Sequence, residues 1–205
     1  MQEAFFPPDT HPMTLFESWY EAYRGQPCPS TMDWPREAVC LATANAKGEP
    51  SARMVLLRGY DRQGFVFYTN YESHKARDLK ENPNAALTFW WPLTHQQVRA
   101  SGTVEPISAE ASDAYFADRP RGSKIGAWAS QQSATLATPE NLARAVRETE
   151  ARFPESSVPR PPHWGGYCLK PITMEFWMAG EHRLHHRRLF EKQKDHSWTS
   201  RWLYP

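Results

Sequence analysis

The sequence predicts a mainly β protein, an antiparallel barrel with a few helices outside it, and three observations carry that reading. From Ala38 onward, short runs of β-branched and aromatic residues alternate with turns that bear Gly, Asp or Asn. Eighteen Pro against ten Gly mark many short elements joined by stiff connections. Helical periodicity is confined to a few segments between the strands. With 205 residues the chain is most simply one domain, long enough to bury a substantial core.

Taken in order, residues 1–12 hold three Pro and little periodicity, which predicts a loose arm, with residues 13–205 forming the domain. "TLFESWYEAYR" has Thr14 and Glu17 at capping-box spacing and an apolar stripe of Leu15, Phe16, Trp19, Tyr20 and Tyr23, a helix. "AVCLATA", "SARMVLLRGY" and "FVFYTN" follow as strands of a meander. "ESHKARDLKEN" reads as a short polar helix, and "AALTFWW" with "QQVRASGTVEPI" as a further strand pair. Residues 108–118 form a helix capped by Ser108 and stopped before Pro120. "TPENLARAVRETEARF" is an amphipathic helix with Pro139 in its first turn. After the linker "PESSVPRPPHW" come the last strands, "GGYCLKPITMEFWM", "RLHHRRLFE" and "SWTSRWLY".

Composition excludes several classes. Twenty-four basic and 23 acidic residues give a net charge of +1, against the basic excess of a general nucleic-acid binder. Cys28, Cys40 and Cys168 are odd in number and far apart, with no CxxC pair, so free thiols in a reducing compartment are expected. "MQEAFFPPDT" has neither the basic start nor the apolar run of a secretory signal, and no stretch is long and apolar enough to span a membrane. The expectation is a cytoplasmic protein. Dinucleotide-fold, P-loop, HExxH and GxSxG motifs do not occur.

Four clusters could carry chemistry. "HRLHHRR" puts three histidines and three arginines into seven positions. Read as a strand, Arg183, His185 and Arg187 share one face and Leu184, His186 and Arg188 the other. The guanidiniums would repel a metal ion, so no metal site is assigned; a solvated edge and an anion site both remain open. "RMVLLR" brackets an apolar strand with Arg53 and Arg58. "FYTNYESHKARDL" sets Thr69, Ser73 and Lys75 at a strand-to-helix junction, which suits a phosphate or simply a helix cap. "YFADRPRGSKIGAWASQQS" places Tyr115 and Arg119 on one helical face and adds Gln132 and Ser133 in a polar loop.

Together and in order, these segments with "SHKARDL", "QQVRASG", "WGGY" and "EFW" resemble the pyridoxamine 5′-phosphate oxidase family over about Met13 to Pro205. The resemblance implies an FMN-binding split β-barrel that works as a homodimer, each flavin lying in a cleft between subunits. It places FMN contacts on Arg53, Met54, Val55, Leu56, Leu57, Arg58, Tyr68, Thr69, His74, Lys75, Gln97, Gln132, Ser133, Trp177 and Arg187. Substrate contacts fall on Arg58, Tyr115, Arg119 and Ser123 around a 5′-phosphate, and on Arg183 and His185 at the pyridine ring, these last two in the catalytic role. With that face matched to the family's site, His182, His186 and Arg188 are expected as solvent-side charge. The implied reaction oxidises pyridoxamine or pyridoxine 5′-phosphate to pyridoxal 5′-phosphate, with a hydride passing from C4′ to flavin N5 and O2 becoming H2O2. Because the flavin carries the redox step, no nucleophile–base pair is expected.

The sequence departs from the family pattern in four places. Arg58 stands for a usual Lys, His74 for a frequent Arg and His186 for a common acidic residue, and no Arg–Tyr pair precedes Met13. Two alternatives follow: a split-barrel flavin oxidase acting on another reduced ring, such as a phenazine precursor, and a non-catalytic module that holds FMN or pyridoxal phosphate.

Overall fold

A computed structural model describes residues 5–8, 10–27, 35–154 and 157–205. Cys28 lies outside the described residues, as do parts of the arm and of the linker expected from sequence. The chain runs α1 (Pro12–Arg24), β1 (Ala38–Ala44), β2 (Pro50–Leu56), β3 (Gly59–Tyr60), β4 (Phe65–Asn70), α2 (His74–Glu81), β5 (Asn84–Trp91) and β6 (Gln96–Pro106). It continues α3 (Ala109–Ala117), α4 (Arg121–Ala129), α5 (Pro139–Arg152), β7 (Trp164–Met178), a 3-10 turn (Glu181–Arg183), β8 (His186–Lys192) and β9 (Trp198–Leu203). Among the described residues no helix is long and apolar enough to cross a membrane.

All nine strands of the described residues join one antiparallel curled sheet in the order β2-β1-β5-β6-β7-β4-β3, with β8 on β7 and β9 on β8. The fifteen-residue β7 organises it. β6 runs along one side of β7, while the other side pairs with β4 over Trp164–Leu169 and with β8 over Thr173–Met178. Pro171, which lacks an N–H, sits at this hand-over, where no ladder donor is needed. Opposite it the register shifts between Ser101 and Gly102. A Cβ on Gly102 would stand 2.0 Å from the Lys170 carbonyl oxygen, so the bulge requires glycine. The sheet does not close into a ring: among the described residues the only strand paired with β2 is β1. Leu57 and Arg58 bridge to the other end, the Arg58 amide donating to Val66 O at 2.8 Å.

α1 fills the open side because its apolar stripe is aromatic. Phe16, fully buried, meets Phe65 at 4.8 Å, Phe89 at 4.9 Å and Tyr60 at 5.2 Å between ring centroids. The helix starts two residues before the expected cap. His11 is the N-cap, its Nδ1 accepting from the Met13 amide, and Pro12 takes the first turn. Within the N-terminal segment, Phe6 is buried edge-on between Trp19 and Trp202. Arg188 also differs from its expected solvent-side place. It is buried, donates to the carbonyls of Phe6 and Pro7, and lies over the Phe190 ring. Cys40 and Cys168 are free and half-buried.

Candidate active site

α4 also departs from the sequence reading. Pro120 does end the preceding helix, but it also serves as N-cap of a new one, and Gly122 and Gly126 conceal that helix from a propensity count. α4, the loop after it, α3, α2, β4 and the end strand β2 enclose a cleft of about 1050 Å³. Arg53, Met54, Val55 and Leu56 of β2, which pairs only with β1 among the described residues, all border the cleft. Arg58, Tyr68, Thr69, His74, Lys75, Tyr115, Arg119, Ser123, Gln132 and Ser133 complete the predicted set that gathers here. Leu57 does not join them. It is turned into the core and is 4% exposed.

The cleft is unusual in its cations. Lys75 is 8% exposed, and its Nζ reaches Thr69 Oγ1 at 3.1 Å, Ser73 Oγ at 3.2 Å and Gln132 Oε1 at 2.9 Å. Among the described residues no carboxylate pairs with it. Burial first, then the neighbouring Arg53 charge, pull it down to about 8. Ser73 is the N-cap of α2 but makes no side-chain cap hydrogen bond; its hydroxyl serves Lys75 instead. Arg53 is held by Thr43 Oγ1 at 2.7 Å and Ser51 Oγ at 2.6 Å, with Asp78 at 3.7 Å. Burial lowers its guanidinium below the ordinary value, and the Asp78 charge opposes that. Buried Asp78 also accepts from Thr43 at 2.6 Å and lies 3.5 Å from His74 Nε2.

At the other end, Arg119 spreads over the Trp164 ring at 4.5 Å, and its buried Nη1 has no hydrogen-bond partner among the described residues. Burial lowers its guanidinium too, and the nearby Arg58 charge adds to this. An unsatisfied buried donor is costly unless a ligand meets it. The cleft thus has two cationic poles, Lys75 with Arg53 and Arg119 with Arg58, each with hydroxyls beside it. That donor set fits two anionic groups joined by planar rings, such as a flavin phosphate and a second phosphorylated heterocycle.

The remaining predicted residues form a separate corner. Gln97, Trp177, Arg183, His185 and Arg187 do not line this cleft. Gln97 pairs with Trp177 across β6–β7, and Trp177 with Arg187 across β7–β8. The expected strand alternation over 183–188 fails, because β8 begins only at His186. Residues 181–183 form a 3-10 turn, with His182 and Arg183 at positive φ of 53° and 66°. An antiparallel return from β7 needs that reversal, so Arg183 and His185 are set by loop geometry. The His185 ring still reaches Trp177 at 4.6 Å, and its Nδ1 accepts from the Gly180 amide. Arg187 donates to buried Glu175 at 2.8 Å and to the Tyr204 carbonyl at 2.8 Å, while Arg99 takes the other carboxylate oxygen. Burial would raise the Glu175 carboxyl, but the two arginines outweigh it and hold it below its usual range.

Sequence reasoning missed Trp164, Asn70 and Ser130 in the cleft lining, and Thr43 and Asp78 behind Arg53. A signal existed for Trp164 alone: a large aromatic residue followed by two glycines in a strand marks a close approach.

A curled antiparallel sheet left open around a doubly cationic cleft defines a split-barrel protein. A solved structure from Nostoc punctiforme, a pyridoxamine 5′-phosphate oxidase-related FMN-binding protein, has this fold with a TM-score of 0.74 at 17% identity, covering 96% of this chain and all of that one. Residues 35–153 match the family described as pyridoxamine 5′-phosphate oxidase, and residues 164–205 the pyridoxine 5′-phosphate oxidase C-terminal dimerisation region. A pyridoxine/pyridoxamine 5′-phosphate oxidase of Anaeromyxobacter dehalogenans is 53% identical over 82% of this chain and 84% of its own length. One from a Nostoc species is 44% identical over 96% and 90%. The chain belongs to the pyridoxamine 5′-phosphate oxidase family. It is also similar to PhzG from Burkholderia lata, solved with tetrahydrophenazine-1-carboxylic acid, at a TM-score of 0.88 and 30% identity over 100% of this chain and 97% of that one.

Proposed function

We propose that the protein is an FMN-dependent oxidase that converts pyridoxamine and pyridoxine 5′-phosphates to pyridoxal 5′-phosphate. The observation that carries this reading is the pair of cationic poles in one cleft, where buried Lys75 and half-buried Arg119 have no carboxylate paired to either among the described residues. A flavin on an unphosphorylated substrate needs one such pole; this cleft has two.

On this reading Lys75, Arg53 and Thr69 take the flavin phosphate, with His74 beside them. Arg53, Met54, Val55 and Leu56 of β2 border the same cleft and would hold the ring system. Arg119, Arg58, Tyr115 and Ser123 take the substrate phosphate. Bound FMN would supply the two-electron acceptor, with O2 taking the electrons to give H2O2; the amine substrate also takes up one water and releases ammonia, while the alcohol needs neither. The protein's own work is to bind, orient and exclude water, a contribution that can remove several kcal/mol of barrier. Arg183 and His185 would hold the pyridine ring, yet they lie outside the cleft of their own chain. A homodimer in which the partner's corner covers the cleft reconciles the two, and the match of residues 164–205 to a dimerisation region supports it. The protein is accordingly read as acting in the cytoplasm on a small molecule and O2.

The test is anaerobic addition of either vitamin phosphate to the FMN-loaded protein. Bleaching of the flavin absorbance, then pyridoxal phosphate formation and O2 consumption on aeration, is expected. Absence of bleaching with both would sink the reading. The likeness to PhzG favours one other reading, oxidation of a reduced phenazine-type ring. Bleaching by such a ring and by neither phosphate would establish it instead.

A further inference from the structure

The "WGGY" stretch at the start of β7 builds something that the two phosphate poles alone do not explain. Trp164 is 7% exposed and borders the cleft. Its ring is parallel to that of Tyr68, 5.3 Å away at 9°, and to that of Tyr115, 6.2 Å away at 6°. Tyr68 and Tyr115 stack on each other at 3.9 Å. Gly166 makes room for this: a Cβ there would stand 2.8 Å from Tyr68 Cε1 and 2.5 Å from Ile107 Cδ1. The glycine lets the tyrosine ring lie against the strand.

Arg119 lies across this platform, 4.5 Å above Trp164 and 5.5 Å from the Phe116 centroid. No carboxylate pairs with it among the described residues, and its buried Nη1 is unpartnered. A carboxylate would have consumed two donors of the guanidinium fork. An indole face attracts the charge while leaving every N–H free. The ring therefore supports a half-buried cation and preserves its whole edge for an incoming anion.

We infer that Trp164 is a positioning residue that selects phosphorylated substrates, holding the Arg119 fork in the plane in which it meets a phosphate monoester. This rests on the vitamin phosphate reading above. Its direct consequence is that Trp164 acts on the phosphate and not on the pyridine ring.

The test compares binding of pyridoxal 5′-phosphate and of unphosphorylated pyridoxal to the FMN-loaded protein, followed by absorbance, in wild type and variants. Trp164→Leu should weaken pyridoxal phosphate binding about tenfold and leave pyridoxal unchanged, the size expected for a desolvated cation–π contact. Steady-state KM for pyridoxine phosphate should rise in parallel, with a much smaller change in kcat. Trp164→Phe, which keeps a smaller π face, should lose about threefold on the phosphate ligand only. If the leucine variant does not fold, the phenylalanine variant decides the question by the same comparison. Adding Trp164→Leu to Arg119→Met should weaken binding no further than Arg119→Met alone, because the effect runs through that guanidinium. Equal losses for both ligands, additive losses in the double variant, or no loss at all would overturn the inference. A wild-type protein that binds pyridoxal phosphate no more tightly than pyridoxal overturns the functional reading itself, and the two failures are thereby told apart.

Discussion

The cleft and the β6–β7–β8 corner are both rich in arginine, yet they treat charge in opposite ways. In the corner, Glu175 receives Arg187 on one oxygen and Arg99 on the other, and Arg187 adds the Tyr204 carbonyl. In the cleft, Lys75 is surrounded by neutral oxygens and Arg119 by aromatic rings. The corner is electrostatically complete within one chain, as an element that also serves the fold must be. The cleft keeps buried Lys75 and half-buried Arg119 without a paired carboxylate among the described residues, a state that an anionic ligand relieves. Stability resides in the first and binding energy in the second.

Removing a charge should therefore have opposite effects in the two regions. Glu175→Ala strips the shared buried carboxylate and leaves two part-exposed guanidiniums facing each other. A loss of about 2 kcal/mol in unfolding free energy is expected, less than for a fully buried pair because both stranded cations reach water. Urea denaturation measures it; a loss below about 1 kcal/mol would mean that the corner is no more than a surface charge pair. The sign with pH follows from the depressed Glu175 carboxyl. Its contribution is complete above the ordinary carboxylate range and is lost as pH falls through the lower folded value.

Arg119→Met is the counterpart in the cleft. It deletes a cation whose Nη1 is unsatisfied and substitutes an apolar chain that can still lie on Trp164. KM for the vitamin phosphate should rise about 100-fold, the loss of charge-assisted hydrogen bonds to a phosphate. The melting temperature of the protein without substrate should stay level or rise. A fall in stability as large as that of Glu175→Ala would erase the contrast between the two regions.

The contrast also explains what is legible in the sequence. Strands β1, β4, β5 and β6 follow from alternation and turn chemistry, which are local, and their limits fall within a residue or so of expectation. Arg53, Lys75, Tyr115 and Arg119 come together as the family resemblance implies, although the segments that carry them lie far apart in the chain. Three features escape because they are tertiary. Arg188 reads as surface charge until the N-terminal segment offers its carbonyls. α4 holds two glycines that lower its intrinsic propensity, and it forms against neighbours instead. Arg183 and His185 have strand-like spacing, but the reversal after Gly180 leaves them in a turn. A Cβ on Gly180 would stand 2.0 Å from Leu184 O, so that turn closes too tightly for any other residue.

The smallest expected effect is the most discriminating, because the cleft should respond to pH in two directions at once. Lys75 sits at about 8 in the folded protein, below its ordinary value of 10.5. Between those values the unfolded chain binds the proton and the folded chain does not, so the Lys75 contribution to stability increases as pH rises through that window. Below about 8 the fold carries a desolvated charge; above it that penalty disappears. Binding of a phosphate needs the protonated amine, so its affinity should decline over the same window, by up to about tenfold per pH unit. FMN binding followed by quenching of flavin fluorescence from about pH 7 to about pH 9, a range that brackets the folded value, reads this directly. Riboflavin, with the same ring and no phosphate, supplies the control and should show no such slope. Lys75→Met should abolish the FMN slope and the rise in melting temperature of the flavin-free protein together. Loss of one trend with retention of the other would separate Lys75 from the anion it is placed to meet.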